Sequence, residues 1–315
     1  MHVSTVDRLS SPAEHKRRLD MSTATLRLAF SAWAMRELPL DQQIAIVRDA
    51  GYVGICLVSD QRVSPLDALR VTPAERRELR RRLDEAGLAL TAIAGHANLL
   101  EPDAAQRREN SDRVRAGIDL AADLAGPHGP PPLITMGQGR PDSYEADRQA
   151  LADRFGELAQ HAASRGGVVA LEPHVGQAMD QPEKIVWLIQ AVGSRHFRLN
   201  LDNSHFEVMG RGMDEYLPQL VPFAVHTDLK DQRGRSPTHE FLVPGEGDFA
   251  YPRYLRALQA AGYAGFLTIE ISVMVQRRAD YGPAEAARRS FRTLVSASEE
   301  AGVPLEHRGA GIGTA

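Results

Sequence analysis

The stretch "LDQQIAIVRDAGYVGICLV", from Leu40 to Val58, holds two periodicities joined by a glycine. Leu40, Ile44 and Val47 recur at helical spacing, and Gly51 stops the segment as a C-cap does. "VGICLV" follows at once, a short apolar run with the pattern of a buried strand. The same device, helix, glycine stop, strand, returns at "DEAGLAL" and "QAAGYAG".

Outward from this unit, eight runs read as strands: Leu26–Ser31, Val53–Val58, Leu88–Ala94, Pro132–Met136, Val168–Glu172, Phe197–Asp202, Phe223–Leu229 and Phe266–Ile271. Helical patterns lie between them. "TPAERRELRRRLDEAG" opens on Thr72 as N-cap with Pro73 in the first turn and ends at Gly87. "SYEADRQALADRFGELAQHAASRGG" runs from Ser143 to Gly167, and "DQPEKIVWLIQAVG" and "YPRYLRALQAAG" each end in glycine. Alternation of strand and helix implies parallel strands joined by right-handed crossovers. Eight such units close into a single (β/α)8 TIM barrel of the α/β class. A doubly wound open sheet has fewer strands and usually a glycine-rich phosphate loop after the first, which "FSAWAMRELPL" lacks.

The barrel is expected over residues 25–303, with a disordered extension over 1–24, Met21 as an alternative start, and a flexible tail over 304–315. The extension is polar and lacks the apolar core of a secretory signal. A net charge of -4 argues against a nucleic-acid surface, and no apolar run is long enough for a membrane span. The lone Cys56 excludes an intrachain disulfide and points to a cytoplasmic setting.

The C-terminal ends of barrel strands face the active site. Glu172 ends the fifth strand and is followed by His174. Asp202 ends the sixth, with His205 three residues on. The seventh carries His226 and Asp228 on one face, then Lys230. Glu270 ends the eighth, and His96 follows the third. Carboxylates gathered at one mouth repel one another, and a divalent cation removes that penalty. Oxygen donors beside imidazoles suit Mn²⁺ or Mg²⁺, with Co²⁺ or Zn²⁺ as further candidates.

"ALEPH", "LDNSH", "HTDLKD", "GEGDFAYPRYLRAL" and "LTIEI", in that order, resemble the xylose isomerase-like TIM barrels, and within them the sugar phosphate isomerase/epimerase group. The resemblance implies one divalent metal, most often Mn²⁺, held by Glu172, Asp202, Asp228 and Glu270. It implies that Glu172 and Glu270 exchange the substrate proton and that His205 touches substrate oxygen or the metal. His96, His174, Lys230, Arg233 and Arg235 are expected to contact substrate. Relatives usually carry histidine where this chain has Asp228; His226, two residues earlier, is expected to be its hydrogen-bond partner or the ligand in its place.

The activity so implied is isomerisation or epimerisation of a small sugar or keto-polyol. A proton leaves the carbon beside a carbonyl through a metal-stabilised enediolate. A lyase on the same scaffold, a dehydratase or a 3-keto-glycoside deglycosidase, is the alternative, and a non-catalytic sugar-binding barrel the remote one. The expected partners are a small carbohydrate and a second subunit, like or unlike, with no nucleic acid and no membrane.

Overall fold

A computed structural model describes residues 25–60 and 62–309. The expected extension over 1–24, Met21 included, and residues 310–315 of the tail lie outside the described residues. In chain order the elements are β1 (Leu26–Ser31), α1 (Leu40–Asp49), β2 (Gly54–Val58), α2 (Pro73–Ala86), β3 (Ala89–Ala94), α3 (Ala104–Asp123) and β4 (Leu133–Met136). Then come α4 (Tyr144–Ser164), β5 (Val169–Glu172), α5 (Pro182–Val192), β6 (Phe197–Asp202), α6 (Asn203–Val208), α7 (Met213–Leu220) and β7 (Ala224–Leu229). The chain continues through β8 (Asp231–Arg233), β9 (Glu240–Leu242), α8 (Tyr251–Ala260), β10 (Phe266–Ile269), α9 (Val273–Gln276), α10 (Pro283–Ala301) and β11 (Leu305–Glu306).

Strands β1 to β7 and β10 run parallel, each beside the next, and β10 pairs with β1 to close an eight-stranded barrel. These are the eight expected strands. The local chemistry is as expected too. Thr72 caps α2 through a reciprocal box: its hydroxyl accepts the Glu75 N–H at 3.3 Å, and Glu75 accepts the Thr72 N–H at 2.7 Å. Gly87 ends α2 in the left-handed region at φ 61°.

The tail is a correction. Leu305 and Glu306 form β11 and pair in parallel with β1. Arg308 then donates to the carbonyls of Ala86 (2.7 Å) and Gly87 (2.6 Å), capping the C-terminal end of α2. A Cβ on Gly87 would collide with that guanidinium, so a short basic segment that reads as loose is held by carbonyls the helix leaves open.

Two apolar layers follow from the strand alternation. Outward residues such as Leu57, Leu171, Leu199 and Ile269 pack beneath the helices. Inside, Cys56, Ala92, Ala94 and Ala170 are small, leaving room for polar side chains from β6, β7 and β10. Among the described residues, no helix is long and apolar enough to cross a membrane.

Candidate active site

Side chains of β5, β6, β7 and β10 fill the upper barrel in layers. In the lower layer the His226 ring is fully engaged: Nδ1 lies 2.9 Å from Asn200 Oδ1, and Nε2 lies 3.2 Å from Thr91 Oγ1 and 2.9 Å from Thr268 Oγ1. Asn200 passes the chain on, donating from Nδ2 to Asp228 Oδ2 at 2.6 Å. The Asn200 oxygen must therefore accept, so the His226 proton sits on Nδ1 and Nε2 accepts from the threonine hydroxyls beside it, one at a time. Burial drives the His226 pKa down to about 3, so the ring is neutral.

The upper layer holds the carboxylates. One oxygen each from Glu172, Asp202 and Glu270 lie within 4.8 Å of one another. Asp202 Oδ1 accepts from the Ser204 backbone (2.9 Å) and hydroxyl (2.6 Å), while Oδ2 accepts from Lys230 Nζ. Lys230 Nζ also stands 3.3 Å from Glu270 Oε1. Glu172 is flanked by imidazoles, with His174 Nε2 at 2.9 Å from Oε1 and His96 Nε2 at 3.6 Å from Oε2.

These surroundings push the two glutamates apart. Burial raises both, but His174, His96 and Lys230 outweigh it at Glu172 and hold that carboxyl well below the ordinary range. At Glu270 burial wins over Lys230, helped by the Glu172 and Asp202 charges, and the pKa rises to about 7. Glu172 is thus a carboxylate at neutral pH, while Glu270 is poised to hold or release a proton.

His205 is buried above Asp202, its Nε2 3.4 Å from Asp202 Oδ2. Its Nδ1 accepts the Val175 N–H at 3.3 Å. Burial, with His174 nearby, keeps the ring well below the ordinary imidazole pKa, so it is neutral and its one proton sits on Nε2. In this arrangement His205 offers a hydrogen-bond donor at Nε2. Its ring lies against His174 with centroids 4.1 Å apart, and Phe241 of β9 meets it edge-on at 5.2 Å.

A cavity of about 770 Å³ opens above, with Glu172, Glu270, His96, His174, His205 and Lys230 in its wall. Trp33, just past β1, and Phe241 add aromatic surface that the sequence reading missed. Asp202, Asp228, Arg233 and Arg235 are not part of that wall. Arg233 donates to the Glu246 carbonyl at 2.6 Å and Arg235 to the Glu207 carbonyl at 2.7 Å, so both brace loops. Among the described residues, Asp228 is also outside the two groups whose geometry could hold a metal, Glu172–Asp202–Glu270 and Glu172–His174–His205. Asp228 is level with Asp202 on one side and with Thr268 on the other, and its Oδ2 is taken by Asn200.

The sequence profile described as xylose isomerase-like TIM barrel matches residues 44–297. The chain belongs to that family. Relatives within it include a provisionally assigned hydroxypyruvate isomerase of Streptomyces coelicolor, 28% identical over 257 residues, covering 74% of this chain and 86% of the relative. The fructoselysine 3-epimerase of Shigella flexneri is 24% identical over 205 residues, 64% of this chain and 72% of its own. An inosose dehydratase of Glaesserella parasuis is 26% identical over 149 residues, 42% of this chain and 50% of its own. Isomerases, epimerases and dehydratases thus share this scaffold.

Solved structures agree on the fold. An L-ribulose 3-epimerase superposes with a TM-score of 0.69 at 18% identity, covering 88% of this chain and 97% of its own. The zinc-bound IOLI protein superposes with a TM-score of 0.69 at 16% identity, covering 88% and 98%.

Proposed function

We propose that this family member is a divalent-metal-dependent isomerase or epimerase of a small sugar or keto-polyol. The observation that carries the reading is that one oxygen each from Glu172, Asp202 and Glu270 lie within 4.8 Å of one another, with Glu172 and Glu270 in the cavity wall. Their hard oxygen donors fit Mn²⁺ or Mg²⁺, and Zn²⁺ is compatible with the same set. A cation held by these three residues would polarise a substrate carbonyl as a Lewis acid. Asp228 is not a ligand in this reading, and its Oδ2 accepts from Asn200.

The chain's own groups supply the rest. Glu172 and Glu270 both reach the cavity, and without a cation the Glu172 carboxyl is held low while the Glu270 carboxyl is raised to about 7. One removes the proton beside the carbonyl and the other returns it, on the opposite face or at the adjacent carbon. His205 Nε2–H donates to the oxygen on which negative charge develops. Trp33 and Phe241 give the cavity an apolar surface against which a substrate's carbon face could lie. His96 and His174 hold the Glu172 oxygens in place.

A lyase outcome uses the same groups, with a β-substituent leaving instead of a proton returning, and the dehydratase relatives favour keeping it as the second reading. One experiment separates the two. Chelator-stripped protein is reloaded with Mn²⁺ in deuterated water and offered ketoses and keto-glycosides. Deuterium entering the carbon beside the carbonyl without loss of a group supports isomerase chemistry, whereas release of water or an aglycone supports a lyase. No exchange and no turnover with any divalent metal sinks both.

A further inference from the structure

Lysine is rare in this chain. Of 37 Lys and Arg residues only Lys16, Lys184 and Lys230 are lysines, and Lys230 stands at the centre of the site. Arginine carries a planar fork of donors, whereas lysine ends in a compact point charge able to occupy a gap between two carboxylates. Lys230 does this. Its buried ammonium bonds Asp202 Oδ2 and lies 3.3 Å from Glu270 Oε1.

Both oxygens belong to residues of the three-carboxylate group. Asp202 has no second free oxygen, because Ser204 occupies Oδ1 with two hydrogen bonds. A divalent cation sits at about 2.0–2.5 Å from a carboxylate oxygen, inside the about 2.8 Å of an ammonium, and draws its ligands around itself. Two cations therefore cannot both close on Asp202 Oδ2 and Glu270.

We propose that the Lys230 ammonium and a divalent cation are alternative occupants of the Asp202–Glu270 pair, so that metal loading turns Lys230 out into the cavity. The proposal rests on the metal-dependent reading above. Lys230 already forms part of the cavity wall, so the displaced ammonium remains where a substrate oxygen can meet it. Before loading, the lysine neutralises carboxylates that would otherwise repel; after loading it becomes a substrate contact. Metal and substrate-binding cation are then assembled in one step.

Mn²⁺ affinity of the full-length chain, measured by calorimetry on wild type, Lys230→Met and Lys230→Gln, tests this. Both variants are expected to bind Mn²⁺ at least ten-fold more tightly than wild type. A second readout needs no variant. Reductive methylation followed by mass spectrometry is expected to label Lys230 several-fold faster with Mn²⁺ present, while Lys184, paired with Asp180 at 2.9 Å, is unchanged. Variants that bind no more tightly than a binding wild type overturn the proposal alone, as does Lys230 labelling that Mn²⁺ leaves unchanged or slows. Binding by the variants but not by wild type supports it. Absence of binding in all three proteins overturns the metal-dependent reading and this proposal together.

Discussion

Glu270 is the residue on which the proposed chemistry turns, because its carboxyl lies in the cavity wall and within 4.8 Å of the Glu172 and Asp202 carboxylates. Glutamine keeps its shape and cannot exchange a proton. Glu270→Gln is expected to lower kcat by about 10²–10⁴, with an unaltered circular dichroism spectrum, in steady-state assays of whichever substrate shows exchange. Full activity would remove Glu270 from the reaction. His226 gives the pH prediction. The unfolded chain takes up a proton near the ordinary imidazole value of about 6.5, while the folded ring refuses it down to about 3. Its contribution to stability is therefore complete above that ordinary value and is lost as pH falls from 6.5 toward 3. Urea midpoints measured across that range should fall more steeply for wild type than for His226→Gln. Glu172, Asp202 and Glu270 were legible in the sequence because each sits at the end of a strand. The engagement of Asp228 by Asn200 was not, because a bond between side chains of neighbouring strands leaves no mark on either strand's own pattern.

Legibility at the level of elements depended on where apolar side chains had to go. The glycine-stopped helices could be read because each carries an apolar stripe and a capping signal. Helix α3 escaped because its first half buries nothing: Gln106, Glu109, Asn110 and Arg113 face the cavity mouth, and its buried residues begin at Val114. The stretch "DQRGRSPTHEFLVPGEGD" is rich in charge and turn residues, yet it contains the β8–β9 hairpin, with Gln232 opposite Phe241. Asp231 anchors the return of that stretch. Its buried carboxylate accepts backbone N–H bonds from Gly245 (2.8 Å), Gly247 (3.0 Å) and Phe249 (3.1 Å). Asp231→Ala would strand those donors, and hydrogen bonds to a charged group are among the stronger ones. A loss of about 2–4 kcal/mol in urea unfolding is expected. Because β9 carries Phe241 to His205, the same variant should also raise KM; a change in neither quantity would show that the loop holds its place without Asp231.

Closure of the whole barrel depends on β10 meeting β1, a contact between segments some 240 residues apart that no local pattern specifies. What the sequence did specify was the number of strand–helix units, and eight parallel strands with right-handed crossovers leave closure as the arrangement without an open edge. Cys56 reports on that closure. It points from β2 into the barrel among Ala92, Ala94 and Ala170, 1% exposed, and takes no part in the cavity wall. Burial, reinforced by the carboxylates of Asp228 and Glu270, pushes its thiol well above the ordinary range, so the reactive thiolate is suppressed as well as shielded. As the chain's single cysteine, it yields one unambiguous signal. Reaction with an aromatic disulfide reagent at about pH 8 is expected to be negligible in the native protein. Across a urea series the labelled fraction should rise with the same midpoint as loss of helical circular dichroism, because only opening of the barrel exposes the sulfur. Rapid labelling without denaturant, at a rate independent of urea, would mean that a seam of the barrel parts on its own. The carboxylates of β10 and β5 would then lack the fixed spacing that the proposed proton transfer requires.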